Sequence, residues 1–244
     1  MEVGICAYCG EEKELCKAHI IPRSFYKLND NDKYIGISNN GKVNTVNFQN
    51  GMKDNNILCS VCDNERIGVF DNYAFEILNN KIPQSRINNS SIFRLTSKEC
   101  NFVKLRKFFI SLIWRASISK HKDFENINLG DKYENIALKM LKGELEIDNN
   151  LFCPLIVRKA EDNPLNNLVA ITKGRFFNQI RHDFTFPNYY ISIVTNAKNL
   201  RTNKDVRFSF FDDEFIVFES DKDIFNFEKN FLSNIKQSFL QKTN

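Results

Sequence analysis

Leu105, Phe108, Phe109, Leu112, Ile113 and Ala116 recur at intervals of three and four, the period of a helix with one apolar face. Lys104, Lys107, Ser111 and Arg115 fall on the opposite side, where solvent is expected. A weaker copy of the pattern, Ile67, Phe70, Ala74 and Ile77, predicts a helix from Cys62 to Leu78 that ends near Asn79-Asn80. A third helical segment lies around Tyr133 to Leu141. After residue 150 the pattern changes to short runs of β-branched and aromatic residues: Leu155-Ile156-Val157, Leu168 to Ile171, Tyr189 to Val194 and Phe215 to Phe218. A last helix is predicted at about Phe225 to Leu240. Helices followed by strands give the α+β class.

The first 80 residues read differently. They hold six of the nine glycines and two cysteine pairs, as expected of a small stapled module with a modest core. Inside it, Tyr34-Ile35-Gly36-Ile37 and Val43 to Phe48 alternate partly and flank Asn39-Asn40-Gly41, which predicts two strands joined at an Asn-Gly turn. The chain therefore divides into a stapled module at 1–80 and an α+β region at 81–244, helical over 98–143, strand-rich over 150–220 and closed by the helix at 225–240.

Composition narrows the class. With 244 residues, 42% apolar and 26% charged, the chain has globular rather than disordered character. No run approaches the roughly 20 apolar residues of a membrane span, and the N-terminus lacks a basic, apolar leader, so a soluble cytoplasmic protein without a membrane partner is expected. The net charge of +4 is unevenly spread: residues 1–87 carry 10 Lys/Arg against 11 Asp/Glu, and Arg94 to Lys122 holds eight basic residues with Glu99 as its one acid. A local basic surface there is the electrostatic hint of a nucleic-acid partner.

Seven cysteines do not suit a disulfide framework, because the count is odd and a reducing compartment keeps thiols free. Cys6-Ala7-Tyr8-Cys9-Gly10 and Cys59-Ser60-Val61-Cys62 each present two thiolates from one tight turn, and four sulfurs complete a tetrahedron about zinc. Such a site is closed and structural. Cys16-x-x-His19 offers a competing set of Cys6, Cys9, Cys16 and His19, which would strand the second pair. Cys100 and Cys153 read as plain buried thiols. Between the pairs, His19 opens an apolar Ile20-Ile21-Pro22 run, so a strand would present its imidazole before Pro22 turns the chain, and an imidazole titrating near neutrality can take a proton from water. Phe25 and Tyr26 are expected in the module's core.

Cys6-x-x-Cys9, His19-Ile20-Ile21-Pro22-Arg23-Ser24 and Ile57-Leu58-Cys59-x-x-Cys62-Asp63-Asn64 together resemble the HNH endonuclease superfamily in its zinc-stapled form, over about the first third of the chain. The resemblance implies a ββα-metal finger: a His at the end of the first strand, a loop and second strand, then a helix carrying the last metal-binding residue. The strands at 35–48 and the helix after Cys62 fit that order. It also implies that His19 is the general base of phosphodiester hydrolysis, and that Asp63 and Asn64 hold a catalytic magnesium or manganese, with Asp71 in reserve. The family often has an acid just before the catalytic His. Ala18 stands there, so the metal would lean on Asp63, Asn64 and water, or on Glu11, Glu12 or Glu14. Arg23, Lys104, Lys107 and Arg115 are the candidate phosphate contacts.

Three functions follow as expectations. The first is an HNH-type nuclease acting on DNA, with a structural zinc, a catalytic divalent metal and a companion protein in anti-phage defence. The second is an inactive zinc-finger protein that binds nucleic acid or senses a signal. The third is a zinc-stabilised subunit of a larger complex.

Overall fold

The computed structural model describes residues 2–26, 34–37, 43–46, 51–82, 92–159, 168–200 and 208–219. The helix expected at 225–240 lies outside the described residues. The architecture is mixed α+β, and the chain begins with small strand pairs. β1 (Val3–Ile5) and β2 (Glu12–Glu14) form a hairpin, with Val3 opposite Glu14. β3 (Ala18–His19) is the next strand. β4 (Tyr34–Ile37) and β5 (Val43–Val46) pair antiparallel with Tyr34 opposite Val46. β6 (Lys53–Asp54) returns to pair with β3, Ala18 opposite Asp54 and His19 opposite Lys53.

A helical rod then runs over 60–82, π-wound at Cys62–Ile67 and Ile77–Lys81 and α-helical over Gly68–Glu76 (α1). After β7 (Ile92–Thr96), α2 (Phe102–Ile118) starts at Asn101, whose side chain accepts the Lys104 amide, and α3 (Gly130–Lys142) stops at Gly143, which takes the left-handed φ of 80° that ends a helix. β8 (Leu151–Arg158), β9 (Leu168–Phe176), β10 (Gln179–Phe186), β11 (Tyr189–Asn196), β12 (Phe210–Phe211) and β13 (Glu214–Glu219) follow among the described residues.

The large sheet has nine strands in the order β12-β13-β8-β11-β10-β9-β4-β5, with β7 on β13. One expectation is corrected here. The hairpin at 34–46 is not the strand pair of the N-terminal module: β4 runs parallel to β9, Ile35 opposite Leu168, and extends the large sheet. The module's own pair is β3 with β6, two residues each, too short to show a period in the sequence.

The core is continuous across residue 80. One buried cluster runs from Cys6 through α1 and α2 to Val217. Phe25, from the turn after β3, marks the junction: its ring lies 5.7 Å from Phe75 on α1, 5.4 Å from Phe108 on α2 and 5.3 Å from Phe186 on β10. Tyr8, between the first cysteines, meets the edge of Trp114 at 6.3 Å, and the Tyr189 hydroxyl donates to the Leu78 carbonyl. Helix α2 is therefore not amphipathic in place. Every residue from Phe108 to Ala116 is buried, Ser111 and Arg115 included, because the N-terminal module covers the face that polar side chains had marked for water.

On β10, Phe184 and Phe186 join the main core, and His182 lies between Lys173 and Ile193 in register, fully buried. Neither of its ring nitrogens has a hydrogen-bond partner among the described residues. Burial, aided by the Lys173 charge, lowers its pKa to about 4. The unfolded chain takes up this proton from about pH 6.5 downward, and the fold resists it to about pH 4. Stability should therefore fall as pH drops through that window and level off below it. His182→Leu is expected to remove as much as about 3 kcal/mol of this pH dependence, measured by urea unfolding at neutral and acid pH. An unchanged slope would exonerate His182.

Candidate metal centre and the histidine beside it

Cys6 and Cys9 sit in the turn that joins β1 to β2. Gly10 closes the turn at φ 78°, a left-handed value that glycine adopts without strain, and its N–H donates to the Cys6 carbonyl at 2.8 Å. Cys59 and Cys62 lie where the chain enters the helical rod. Backbone bonds clasp the two turns: Ala7 N–H to the Ile57 carbonyl at 2.9 Å, Cys16 N–H to the Leu58 carbonyl at 2.8 Å, and Cys59 N–H to the Cys6 sulfur at 3.3 Å. The four sulfurs lie within 4.8 Å of one another, and Cys6, Cys59 and Cys62 are buried. Zinc with four sulfurs at about 2.3 Å sets them about 3.8 Å apart, so the set fits a tetrahedral zinc with small adjustment. Burial raises the Cys62 thiol, as does hydrogen bonding with Cys59, so a dication is what would hold four thiolates together here.

The competing set is not assembled. Cys16 lies outside the four-sulfur group, beside the Asp63 carboxyl, and burial lifts its pKa to about 11. Among the described residues, the four cysteines are the only His/Cys/Asp/Glu group close enough to share an ion, and it includes none of Glu11, Glu12 or Glu14. Glu11 is paired with Lys13 at 2.5 Å on the exposed hairpin.

His19 ends β3. Alternation along the paired strands turns Ala18 and Asp54 inward, both buried, and leaves His19 and Lys53 half-buried on the other face with Lys17 exposed beside them. Ile20, Ile21 and Pro22 are buried, as their run predicts, and the Ile20 N–H donates to the Met52 carbonyl at 2.9 Å. Gly51, at φ 67°, gives the imidazole room: a Cβ there would stand 3.3 Å from His19 Cδ2 and 3.1 Å from the Tyr26 ring.

Behind His19 stands a buried ion pair that periodicity did not reveal. Arg115 is fully buried and reaches across from α2. Its Nη1 donates to Asp71 Oδ2 at 2.9 Å and to the His19 carbonyl at 2.7 Å, and its Nη2 donates to Asp71 Oδ1 at 2.8 Å. The expected phosphate contact by Arg115 is thereby corrected, since its guanidinium is committed inside the fold. Asp71 is likewise committed. Burial pushes its carboxyl up and the two guanidinium bonds pull it down.

The other nominated residues are dispersed. Asp63 is half-buried beside Cys16, Arg115 and Asp71, and burial lifts it to about 6, partly offset by the Arg115 charge. Asn64 is exposed and its amide donates to the Ser60 carbonyl at 3.0 Å and hydroxyl at 3.1 Å. The carboxyl and the amide thus serve different neighbours. Lys107 is half-buried, donates to the Leu141 carbonyl at 3.1 Å and lies over Phe70, while exposed Lys104 lies over Tyr73. Arg23 is exposed in the turn that follows β3. Lys104, Lys107 and Arg115 therefore form no continuous cationic track.

Compared with known proteins, the chain matches no family model, and no curated protein or solved structure is significantly similar to it. The site must be read from its own chemistry.

Asp54 is the other residue that pattern reading missed. Its Oδ2 accepts the Ser119 hydroxyl at 2.6 Å and the Lys120 N–H at 2.9 Å, and its Oδ1 accepts the Asn56 N–H at 2.8 Å. These bonds to Ser119, Asn56 and Lys120 outweigh its burial and lower its pKa. A single aspartate between a lysine and two asparagines carries no sequence signal of such a role.

Proposed function

We propose that the protein is a zinc-stapled HNH-type nuclease that hydrolyses phosphodiester bonds in DNA, with His19 as the general base. The supporting observation is the juxtaposition of a closed four-cysteine centre with a half-buried histidine at the end of an antiparallel strand pair, followed directly by a helix. In this reading the zinc holds the turns from which β3 and the helical rod depart, and takes no part in the reaction. The His19 imidazole accepts a proton from water as the water oxygen bonds to phosphorus, and the opposite P–O bond breaks to release an alkoxide that is protonated by solvent. Arg115, by fixing the His19 carbonyl, limits the strand's freedom to move the imidazole.

The resemblance assigns a second divalent ion to Asp63 and Asn64. These residues do not suit a shared site as they stand, since Asp63 is turned to Cys16 and Arg115 and Asn64 to Ser60. No step is therefore routed through that ion. The same observation, with buried Ala18 in the place of the usual acid, favours a second reading in which the finger binds nucleic acid without cutting it.

One experiment separates the two. Zinc-replete protein incubated with supercoiled plasmid and magnesium or manganese should nick it, and His19→Ala should slow nicking by about 10²–10⁴-fold while zinc content stays at the wild-type level. If neither DNA nor RNA is cut by the wild type, the nuclease reading is abandoned. Nucleic-acid binding that survives without magnesium and ignores His19→Ala would then support the second.

A further inference from the structure

The basic stretch from Arg94 to Lys122 supplies eight cations, and the structure sorts them. Arg115 and Arg106 are buried, Lys107 is held by the Leu141 carbonyl, Arg94 lies 3.7 Å from Glu214, and Lys104 lies over Tyr73 at the far end of α2. Lys98, Lys120 and Lys122 remain, all exposed and none in an ion pair among the described residues, and of these Lys120 and Lys122 lie in the turn after α2. Their place in the fold is fixed from both sides. The Lys120 N–H and the Ser119 hydroxyl are bound to Asp54 Oδ2, and two residues beyond Lys122 the buried Phe124 ring closes the turn. Between the two lysines, His121 is occupied: its Nδ1 accepts the Asp123 N–H at 3.3 Å and stands 3.5 Å from the Asp123 carboxylate.

The residue that latches this turn belongs to the strand pair of His19. Asp54 is opposite Ala18, and its neighbour Lys53 is opposite His19 on the exposed face that also carries Lys17. The latch therefore fastens the turn that carries these two exposed lysines to β6, the strand that pairs with that of His19.

We propose that Lys120 and Lys122, delivered by the Asp54 latch, form with Lys53 and Lys17 the phosphate-backbone contact of the site at His19. The ligand is a polyanionic nucleic-acid strand, held through its phosphates and without base readout. This inference rests on the nucleic-acid reading above and replaces the track expected along α2.

The test is equilibrium binding of a short fluorescent DNA duplex without added divalent metal, titrated with salt. Lys120→Ala/Lys122→Ala should weaken binding by about 10- to 100-fold at moderate salt and flatten the dependence of log K on log salt by about 1.8, since two phosphate contacts are lost. Lys98→Ala/Lys104→Ala, which removes the same charge from exposed positions at the other end of α2, should leave at least most of the affinity. Both pairs are surface lysines, and matched melting temperatures would confirm that each variant is folded. If the two double variants weaken binding equally, or neither does, the Lys120/Lys122 contact is wrong while the nucleic-acid reading stands. If the wild type binds neither this duplex nor single-stranded RNA of the same sequence, both fall together.

Discussion

Replacing Arg115 with methionine is expected to destabilise the protein by about 3–5 kcal/mol and lower its melting temperature by about 10 °C. The guanidinium is fully buried, so its removal leaves the Asp71 carboxyl facing an apolar side chain and takes the donor from the His19 carbonyl. A surface ion pair would not behave this way, because water would solvate the abandoned partner. Asp71→Leu alone should cost a similar amount, by stranding the cation instead. The double variant, Arg115→Met with Asp71→Leu, should recover most of the loss, because a buried pair exchanged for apolar groups of similar volume is close to neutral. Urea unfolding of the four proteins closes the cycle. A single variant within about 1 kcal/mol of the wild type would mean that the pair is solvated or dispensable. The pair joins α1 to α2, which the sequence places on opposite sides of residue 80. Its loss should therefore unfold the whole chain in one transition rather than release the N-terminal module alone.

What the sequence conveyed depended on which physical effect governed each residue. The cysteine pairs were legible because a four-sulfur cluster able to hold a metal needs two ligands from each short turn, and Gly10 follows the first pair because that turn closes at positive φ. Helices α2 and α3 were legible from apolar period and were found within a few residues of their expected ends. Arg115 was misread because periodicity reports which side chains are apolar and not what covers the rest. On a helix packed on all sides, a charged residue looks like a solvated one until its partner, 44 residues away, is placed. β10 went unseen since Arg181, His182 and Asp183 interrupt its apolar run, and the turn before it, Phe177-Asn178, takes positive φ at both residues without glycine. β6 was hidden by its length. The hairpin at 34–46 was legible as a hairpin, but its parallel pairing with β9 depends on residues far along the chain. The candidate site shows the same division. His19 stood out by its motif, whereas Asp54 and Arg115, which fasten its strand pair to the end of α2, are defined only by contacts.

Cys59→Ser should abolish zinc binding and with it the native N-terminal half. Wild-type protein is expected to carry one zinc per chain by elemental analysis, released by a chelator under denaturing conditions, where all seven thiols, the four ligands included, become titratable. The effect should be large because little else ties the two cysteine turns to each other. β1 and β2 are three residues each, Val3 and Ile5 are about two-thirds exposed, and the cross-links between the two turns are the clasping backbone bonds and the sulfurs themselves. Structural zinc in small modules contributes about 10–16 kcal/mol, against which a handful of backbone bonds at about 1 kcal/mol each is minor. Cys16→Ser, by contrast, should leave zinc stoichiometry unchanged, since Cys16 serves Asp63 and lies outside the four-sulfur group. Zinc retained in Cys59→Ser but lost in Cys16→Ser would reverse the ligand assignment. Because Cys62 also begins the π-wound turn whose Asp63 carbonyl accepts the Gly68 N–H, losing the metal should fray the helical rod toward Asp71. That carries the damage into the Arg115 pair. The four-cysteine centre and the buried ion pair therefore brace the same helical rod, one at its start and the other at its middle, and a melting curve of the zinc-free protein should show the loss of both.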